Sequence, residues 1–280
     1  MAHTNANDRL HPPTHRWRLT KVKPRNHVRT LHVNVDDQTI VVELHEPENG
    51  PPSRTILLMV HGGPGGTIDG PADLFADITP AITERGFAVA RFNLRGSGDQ
   101  PTLDPRRATV RTGIDDVETV FSALRSEPFD RVVLYAESMG ATMGLLSSCS
   151  SQFAASVLLW PALNLFDTDL REFLVSSKIE AARSTGSLAI GDLSVGLDFL
   201  IDCLVFDAGA QVGSLNGPVL IIHGNADEEV PCTHSARAAA ILGPDSTRLV
   251  IVPGGNHGLK QAHERELVVR ESLAFLDALG

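Results

Sequence analysis

The stretch VVLYAESMGATMG, Val132–Gly144, sets an aliphatic run directly against a serine that is flanked by small residues. The run indicates a buried strand, and the Gly and Ala after it are typical of a helix packed closely on that strand. The same residues also fit a nucleophile, Ser138, presented on a tight turn between strand and helix. So short a pattern recurs by chance, and the rest of the chain has to decide between these interpretations.

Length and composition favour one large α/β domain with an insertion. The chain has 280 residues, of which 42% are hydrophobic, which suffices for a deep core. No apolar run approaches the roughly 20 residues that span a bilayer, and the N-terminal segment lacks the apolar centre of a secretory signal. We therefore expect a soluble, cytoplasmic protein. Three cysteines without CxxC or histidine-partnered spacing predict neither disulfides nor a metal site.

The net charge of −10 hides an asymmetry, because seven Lys or Arg in residues 1–30 accompany Asp8 alone. A basic arm on an acidic body is compatible with a nucleic-acid partner, but no basic-aromatic stripe follows it. We predict a basic, flexible N-terminal arm over residues 1–27 and no nucleic-acid partner. His11 and His15 in this arm are interpreted as incidental rather than as a metal site. The sequence leaves the oligomeric state open.

Strand and helix patterns alternate from Val28 onwards. VRTLHVNV and QTIVVELHEP predict antiparallel strands, and TILLMV predicts a strand that is buried on both faces. Helical spacing and short apolar runs then take turns to the C-terminus. This order predicts an α/β fold with a mostly parallel sheet, an N-terminal antiparallel hairpin and helices on both faces.

The alternation breaks between Ala162 and Val212. Helical but no strong strand patterns fill these roughly fifty residues, which are too many for a simple connection. We predict a core at residues 28–161 and 213–280 and an inserted helical cap at residues 162–212. Four aromatic side chains of the cap are candidates for the lining of an apolar substrate pocket, although aromatics at helical spacing more often pack a core: Phe166, Phe173, Phe199 and Phe206.

Candidate functional residues fall in the loops that follow the strands, where parallel sheets gather their binding groups. HGGPGG, His61–Gly66, follows TILLMV, and its glycines expose N–H groups to a developing oxyanion. Phosphate binding is not predicted, because the Lys-Ser/Thr of a P-loop and the GxGxxG spacing are both missing. RGSGDQP follows FAVARFNL, and we expect Arg95 there to pair with a buried carboxylate without a catalytic role.

The loop after RVVLYA contains the pattern Ala136-Glu137-Ser138-Met139-Gly140. A sharp strand-to-helix turn would hold the serine in a strained backbone conformation, and larger side chains two positions either way would collide with it. The same turn would place the N–H of Met139 at a helix N-terminus, where it can stabilise negative charge.

An acid and a histidine follow two later strands. NADEEVP offers Asp227, with Glu228 and Glu229 as alternatives, and GNHG offers His257. Serine, acid and histidine thus occur in the chain order Ser…Asp…His after three different strands. The H-G-x-x-D spacing from His223 favours Asp227 as the acid.

The motifs HGGPGG, RGSG, AESMGA, HGNADEEVP and GGNHG resemble, in order and approximate spacing, those of the α/β-hydrolase superfamily. The resemblance extends from Val28 to the C-terminus and implies the α/β-hydrolase fold. AESMGA, LLWPALN and HGNADEEVP are most similar to small capped esterases, such as feruloyl and monoacylglycerol esterases. HGGPGG with RGSG is more similar to proline iminopeptidases. Ala136 stands where Gly is commoner, and Asn93 stands where many members carry Asp.

This pattern predicts a serine hydrolase that cleaves a carboxylic ester or thioester through an acyl-enzyme. Ser138 is the expected nucleophile, His257 the general base and Asp227 the orienting acid. His61 and His223 also end strands, and the resemblance implies that they are structural loop histidines. The expected oxyanion donors are the N–H groups of Met139 and Gly63, with Gly62 as the fallback. No metal or organic cofactor is needed for this chemistry.

Two other functions are compatible with the sequence. Residues 162–207 contain eight acidic residues against three basic ones, and one of these carboxylates could bind the ammonium group of a short peptide, as in a proline-iminopeptidase-like aminopeptidase. A ligand-binding homologue without turnover would keep the fold, although the complete Ser-Asp-His set argues against it. The predicted partner is a small-molecule ester, thioester or short peptide, with no membrane span.

Overall fold

The computed structural model describes residues 28–50, 53–99 and 101–280. The predicted basic arm of residues 1–27, with His11 and His15, lies outside these described residues. No helix within them is long and apolar enough to cross a membrane. In the same part of the chain, no group of three or more His, Cys, Asp or Glu is placed to hold a metal ion. All three cysteines are free thiols.

Strands and helices alternate along the described residues. The strands are β1 (Val28–Val35), β2 (Gln38–His45), β3 (Thr55–Val60), β4 (Ala88–Phe92), β5 (Arg131–Glu137), β6 (Ala155–Leu159), β7 (Ser187–Ile190), β8 (Leu193–Gly196), β9 (Val219–Gly224) and β10 (Thr247–Val252). The α-helices are α1 (Leu74–Thr83), α2 (Val110–Arg125), α3 (Met139–Leu146), α4 (Ser176–Thr185), α5 (Leu197–Val205), α6 (Thr233–Leu242) and α7 (Ala262–Asp277).

Eight strands form one sheet in the order β1-β2-β4-β3-β5-β6-β9-β10. The first two pairings, β1 with β2 and β2 with β4, are antiparallel, and the other neighbours run parallel. The predicted mostly parallel sheet with an N-terminal antiparallel hairpin is therefore confirmed.

Strand β3 shows why the sheet is covered on both faces. All six of its residues are buried, and successive side chains of a strand point to opposite faces. Ile56 and Leu58 belong to the core cluster that includes α2 and α3, whereas Leu57 and Met59 belong to the cluster that includes α1 and α7. A continuous apolar run is therefore required here in place of alternation.

The loop after β4 is tied to α2 by a buried ion pair. The Arg95 side chain is 4% exposed and its Nε lies 2.5 Å from Oδ1 of Asp116, which is fully buried. The backbone N–H of Arg95 donates to the other oxygen of the same carboxylate at 2.8 Å. This contact is the buried carboxylate partner expected for Arg95, and it fixes the loop beside the carboxyl ends of the strands.

The segment between β6 and β9, which we call the insertion after the sequence-based prediction, connects two neighbouring parallel strands. It contains α4, α5 and three 3-10 turns, and it also contains an antiparallel hairpin of β7 with β8. The sequence predicts helices alone for this segment, because four-residue strands are too short to show a clear alternation of apolar and polar residues. A Cβ on Gly196, at the end of β8, would collide with the carbonyl oxygen of Arg106. The end of the hairpin therefore lies directly against the backbone of Arg106, in the loop between β4 and α2.

Helix α3 packs closely on the sheet at two glycines. A Cβ on Gly140 would collide with the backbone carbonyl oxygens of Val60 and His61, at the end of β3. A Cβ on Gly144 would meet only the side-chain tip of Leu134, at 2.8 Å from Cδ2. The first contact is with rigid backbone and the second with a flexible side chain.

This difference predicts unequal effects of the same substitution. Gly140→Ala should lower the free energy of unfolding by about 3 kcal/mol, because backbone carbonyls cannot move without disturbing β3. Gly144→Ala should change it by less than about 1 kcal/mol, because Leu134 can shift and alanine favours the helix. Urea denaturation followed by circular dichroism measures both. Equal losses in the two variants would contradict this account of the helix contact.

Candidate active site

Ser138 alone makes the turn between β5 and α3. Its backbone has φ 49° and ψ −123°, a left-handed conformation that is strained for a residue with a side chain. Its N–H donates to the carbonyl of Leu159 at 3.0 Å, and its own carbonyl accepts from the N–H of Ala162 at 3.1 Å. These bonds to β6 and the loop behind it hold the hydroxyl on a fixed backbone at the carboxyl edge of the sheet.

The glycine-rich loop after β3 lies against this turn. A Cβ on Gly62 would be 3.1 Å from Cβ of Ser138, and one on Gly63 would be 3.6 Å from Sδ of Met139. The N–H of Gly62 donates to Oε1 of Glu137. Among the described residues, no protein acceptor is bonded to the N–H of Gly63 or Met139. The fallback donor is thus engaged, whereas the two preferred ones are free.

Asp227 and His257 come together at the adjoining loops after β9 and β10. Nδ1 of His257 lies 2.8 Å from Oδ2 of Asp227, whose side chain is fully buried. The other carboxylate oxygen accepts the N–H groups of Glu229 at 2.9 Å and Val230 at 2.8 Å. Because the carboxylate is an acceptor, Nδ1 of His257 carries a proton and Nε2 is left to accept one.

Nε2 of His257 faces a second carboxylate. It lies 3.7 Å from Oε2 of Glu229, a half-exposed side chain. Within the described residues no hydrogen bond joins the hydroxyl of Ser138 to His257. The structure therefore pairs Asp227 with His257 and places Ser138 on a neighbouring loop of the same sheet edge.

His223 binds the same carboxylate from the other side. Its Nε2 lies 3.1 Å from Oδ2 of Asp227 and 3.0 Å from the carbonyl of Val230. Both partners are acceptors, so Nε2 carries the proton and Nδ1 accepts from the hydroxyl of Ser235, 2.6 Å away. His223 is fully buried and supports Asp227 as part of the scaffold.

His61 has a purely local role. Its Nε2 accepts the N–H of Leu94 at 3.1 Å, so Nδ1 carries the proton toward the carbonyl of Gly62. Burial lowers its pKa to about 4. The neutral ring therefore links the glycine-rich loop to the loop after β4.

Four carboxylates set the electrostatics around His257. Burial lowers the pKa of this imidazole, but the hydrogen bond and charge of Asp227 and the charges of Glu229 and Glu137 outweigh burial, so the pKa is raised. Asp169, from the insertion, faces the same groups. Burial and the charge of Glu229 raise the pKa of Asp169, and the charge of His257 opposes them.

The pKa of Asp227 moves in the opposite direction. Burial alone would raise it, but the hydrogen bonds from His223 and His257 and the N–H of Val230 outweigh burial and hold the pKa well below its usual range. Asp227 is therefore ionised at neutral pH and keeps His257 in one orientation.

A cavity of about 220 Å³ opens beside the two free N–H groups. The glycine-rich loop, the loop after β4, the start of α2 and the hairpin of the insertion line it. Its apolar wall consists of Leu94, Met139, Met143, Leu193, Val195 and Phe199.

Of the four phenylalanines proposed for a pocket, Phe199 alone lines this cavity. The other three each lie under a cation: Arg171 over Phe166, Lys178 over Phe173 and Arg111 over Phe206, at 5.3, 4.2 and 5.3 Å from the ring centroids. Phe166 is 41% exposed. Phe173 and Phe206 are partly buried and pack against the hydrophobic core, and all three rings make a cation–π contact.

Two residues of the site, Trp160 and Glu137, are not among the site residues predicted from the sequence. Trp160 follows β6 with φ 36°, and its ring packs edge-on against His257 with centroids 6.2 Å apart. Its Nε1–H donates to Oε2 of Glu137 at 3.0 Å. Their positions in the chain are the feature that points to the site, because Glu137 directly precedes Ser138 and Trp160 directly follows a strand that ends at the same sheet edge.

Comparisons with known proteins fit this geometry. Residues 51–196, about half of the chain, match the family model described as serine aminopeptidase, S33. Residues 205–279 match the model described as the prolyl oligopeptidase family. The uncharacterized protein YfhR of Escherichia coli is 23% identical over 213 residues, which cover 74% of this chain and 65% of YfhR.

Solved structures share the fold over most of this chain. Est1E from Butyrivibrio proteoclasticus with bound ferulic acid has a TM-score of 0.69 at 18% identity, over 88% of this chain and 97% of that one. A puromycin-hydrolyzing peptidase from Mycobacterium tuberculosis has a TM-score of 0.65 at 19% identity, over 89% of this chain and 38% of that one. At these identities the likeness concerns the fold.

The charges around His257 predict a measurable titration. By NMR, its imidazole pKa should lie above the usual value of about 6.5, and Glu229→Gln should lower it because a carboxylate 3.7 Å away is lost. Its contribution to folding stability is fully present below the unfolded-state pKa and is lost as pH rises through the raised folded-state pKa.

The matched control is Glu228→Gln, which removes the same charge from the adjacent, exposed residue. This variant should leave the His257 titration close to that of the unsubstituted protein. Equal shifts in both variants would show that long-range charge acts on the imidazole, rather than the contact with Glu229.

Proposed function

Because the chain belongs to the α/β-hydrolase family whose model is described as serine aminopeptidase, S33, we propose that this serine hydrolase cleaves a carboxylic ester or thioester through an acyl-enzyme on Ser138. The observation that carries the proposal is the assembly at one sheet edge of a strained serine turn, two unengaged N–H groups and a buried Asp–His pair. These are the parts that acyl transfer requires.

The proposed acyl transfer begins from His257 with a proton on Nδ1 and none on Nε2. His257 donates through Nδ1 to Asp227, so its Nε2 takes the proton of Ser138 as Oγ attacks the carbonyl carbon of the substrate. The resulting oxyanion accepts hydrogen bonds from the N–H groups of Gly63 and Met139.

Collapse of this intermediate breaks the ester bond, and the imidazolium of His257 returns its proton to the leaving alcohol or thiol. Water, deprotonated by the same imidazole, then attacks the acyl group and restores Ser138. Asp227 stays ionised throughout and stabilises the imidazolium.

The cavity beside the oxyanion donors supports an acyl substituent of modest size. Its volume of about 220 Å³ lies below the range of drug-sized pockets, about 300–1,000 Å³. The side chain of Leu193, from the hairpin, packs on Gly65 so closely that a Cβ there would lie 2.7 Å from Cδ1. Leu193 therefore forms the part of the cavity wall that lies against the glycine-rich loop. The ferulic acid bound to the similar Est1E is a carboxylic acid of the kind that such a reaction releases.

A second candidate function, removal of an N-terminal amino acid, is favoured by one specific observation. Asp169 of the insertion and Glu229 lie next to one another, joined by a 2.9 Å backbone hydrogen bond, and both carboxylates act on His257. A substrate ammonium between them would be bound beside His257. The family model's description as an aminopeptidase agrees with this alternative.

Removal of the nucleophile or base tests the proposal. Ser138→Ala and His257→Ala should each lower kcat on a p-nitrophenyl ester by several orders of magnitude, roughly 10⁴-fold or more. The same purified proteins should be assayed on thioesters and on a proline aminoacyl amide, which separates the ester from the aminopeptidase alternative.

Labelling with a fluorophosphonate probe is the companion measurement. The unsubstituted protein should be labelled on Ser138, and Ser138→Ala should not. Near-normal turnover in Ser138→Ala would disprove the assignment, and absence of labelling in the unsubstituted protein would favour a ligand-binding homologue.

The pocket predicts a change in acyl-chain preference. Leu193→Ala should raise kcat/KM for an octanoate ester relative to a butanoate ester by about tenfold or more, since the space left by the shorter side chain admits at least one further methylene and one methylene in an apolar pocket is worth about tenfold or more. Ile201→Ala, on the same insertion but 41% exposed and away from the cavity lining, is the control and should leave the ratio unchanged. An unchanged ratio in Leu193→Ala would place the acyl group elsewhere.

A further inference from the structure

Glu137 is a buried carboxylate immediately before the nucleophile. It ends β5 and is 6% exposed. Each of its oxygens accepts one N–H: Oε1 that of Gly62, and Oε2 that of the Trp160 indole at 3.0 Å. An acidic side chain is among the most costly to bury, so a fully satisfied one beside Ser138 calls for a specific role.

The two N–H donors define the form of the side chain that fits. A carboxylate accepts at both oxygens, whereas an amide would turn its NH2 group toward one of the two N–H groups. Burial raises the pKa of Glu137, and the N–H of Gly62, the indole of Trp160 and the charge of His257 reduce this rise without cancelling it. The two N–H donors thus favour the anion, and burial opposes it.

The two hydrogen bonds of Glu137 connect the glycine-rich loop to the Trp160 side chain, which packs on His257. The N–H of Gly62 belongs to the His61–Gly62 peptide, one residue before the expected oxyanion donor Gly63, so the first bond anchors the glycine-rich loop next to that donor. Trp160 packs edge-on against His257 at 6.2 Å, and its backbone N–H is bound to the carbonyl of Ile222 at 2.7 Å. The second bond therefore fixes the wall against which the imidazole lies.

We propose that Glu137 is a positioning residue, whose carboxylate ties the oxyanion loop to the indole that packs on the general base. This inference rests on the proposed acyl transfer at Ser138. Glu137 does not touch the reacting atoms. It acts by holding Gly63 and His257 in the geometry in which both reach the same substrate carbonyl, and misplacement of such groups by about 1 Å can cost about 100-fold in rate.

The charge of Glu137 gives the proposal a second readout. The groups that face His257 are Asp227 and Glu229 from the loop after β9, Glu137 from β5 and Asp169 from the insertion. All four are acidic, so removal of one charge lowers the pKa of the imidazole. The acid limb of kcat/KM then moves to lower pH, which a loss of folding stability alone would not produce.

The test is Glu137→Gln, which keeps the size of the side chain and removes one acceptor and the charge. We expect kcat for a p-nitrophenyl ester, per fluorophosphonate-labelled site, to fall about 10-fold to 100-fold. KM should stay within about twofold, and the acid limb should shift to lower pH. The control is Glu271→Gln, which neutralises another buried carboxylate, one bound to Arg248 and Arg270, and should keep the kcat of the unsubstituted protein.

Trp160→Phe provides a second variant in case Glu137→Gln fails to fold. It keeps an aromatic ring at this position and removes the indole N–H together with part of the ring volume, while the bond from Gly62 to Glu137 is retained, so kcat should fall less than in Glu137→Gln. The double variant should be no slower than Glu137→Gln by more than about twofold, because residues acting through one bond are not additive. Full kcat in Trp160→Phe, or additive losses in the double variant, would overturn the proposal.

The outcomes distinguish this proposal from the proposed ester hydrolysis. The second-order rate of fluorophosphonate labelling at Ser138 uses the same oxyanion donors and base without depending on the choice of ester. If the unsubstituted protein labels on Ser138 and Glu137→Gln labels equally fast with the same acid limb, the positioning role is wrong. If the unsubstituted protein neither labels nor hydrolyses esters, the proposed function itself is wrong.

Discussion

The left-handed backbone of Ser138 depends on how closely α3 lies against the end of β3. Gly140 brings the helix into contact with the carbonyl oxygens of Val60 and His61, and this contact leaves a single residue to reverse the chain between β5 and α3. The strain at φ 49° persists because Leu159 and Ala162 hold both peptide groups of that residue. The close contact between α3 and the end of β3 also brings the glycine-rich loop beside Met139. One packing constraint therefore places the hydroxyl of Ser138 next to the N–H groups of Gly63 and Met139.

The electrostatics of the site are arranged around one imidazole. Asp227 is fully buried, but two histidines and two backbone N–H groups saturate its oxygens, so the cost of burial is offset and the anion is retained. Glu229, Glu137 and Asp169 add further negative charge around His257. An imidazole in such surroundings gains its proton readily, which suits the proposed role of His257 as a base that becomes cationic when it takes the serine proton.

The fold could be read from the sequence wherever one physical requirement dominates. The six buried residues of β3 and the apolar face of α2 leave little choice of structure, and the strand-end positions of Ser138, Asp227 and His257 follow from a parallel sheet. The hairpin of β7 and β8 was not predicted, because a four-residue strand is too short to show an alternation of apolar and polar residues. Glu137 and Trp160 were not predicted because their importance lies in a contact between two loops. Of the phenylalanines predicted for the pocket, Phe166 is exposed, whereas Phe173 and Phe206 are partly buried against the hydrophobic core. Each of these three rings lies under a cation.

The insertion begins and ends at neighbouring parallel strands, β6 and β9, which remain paired whatever lies between them. Its hairpin supplies Leu193 and Val195 to the cavity, whereas the serine turn, the acid and the histidine belong to the core. Because the hairpin and the serine, acid and histidine loops lie in separate parts of the chain, a change in hairpin length would reshape the cavity and leave the pairing of the eight-stranded sheet as it is. The shape of the cavity and the placement of the proposed catalytic groups are thus set by different segments of the chain.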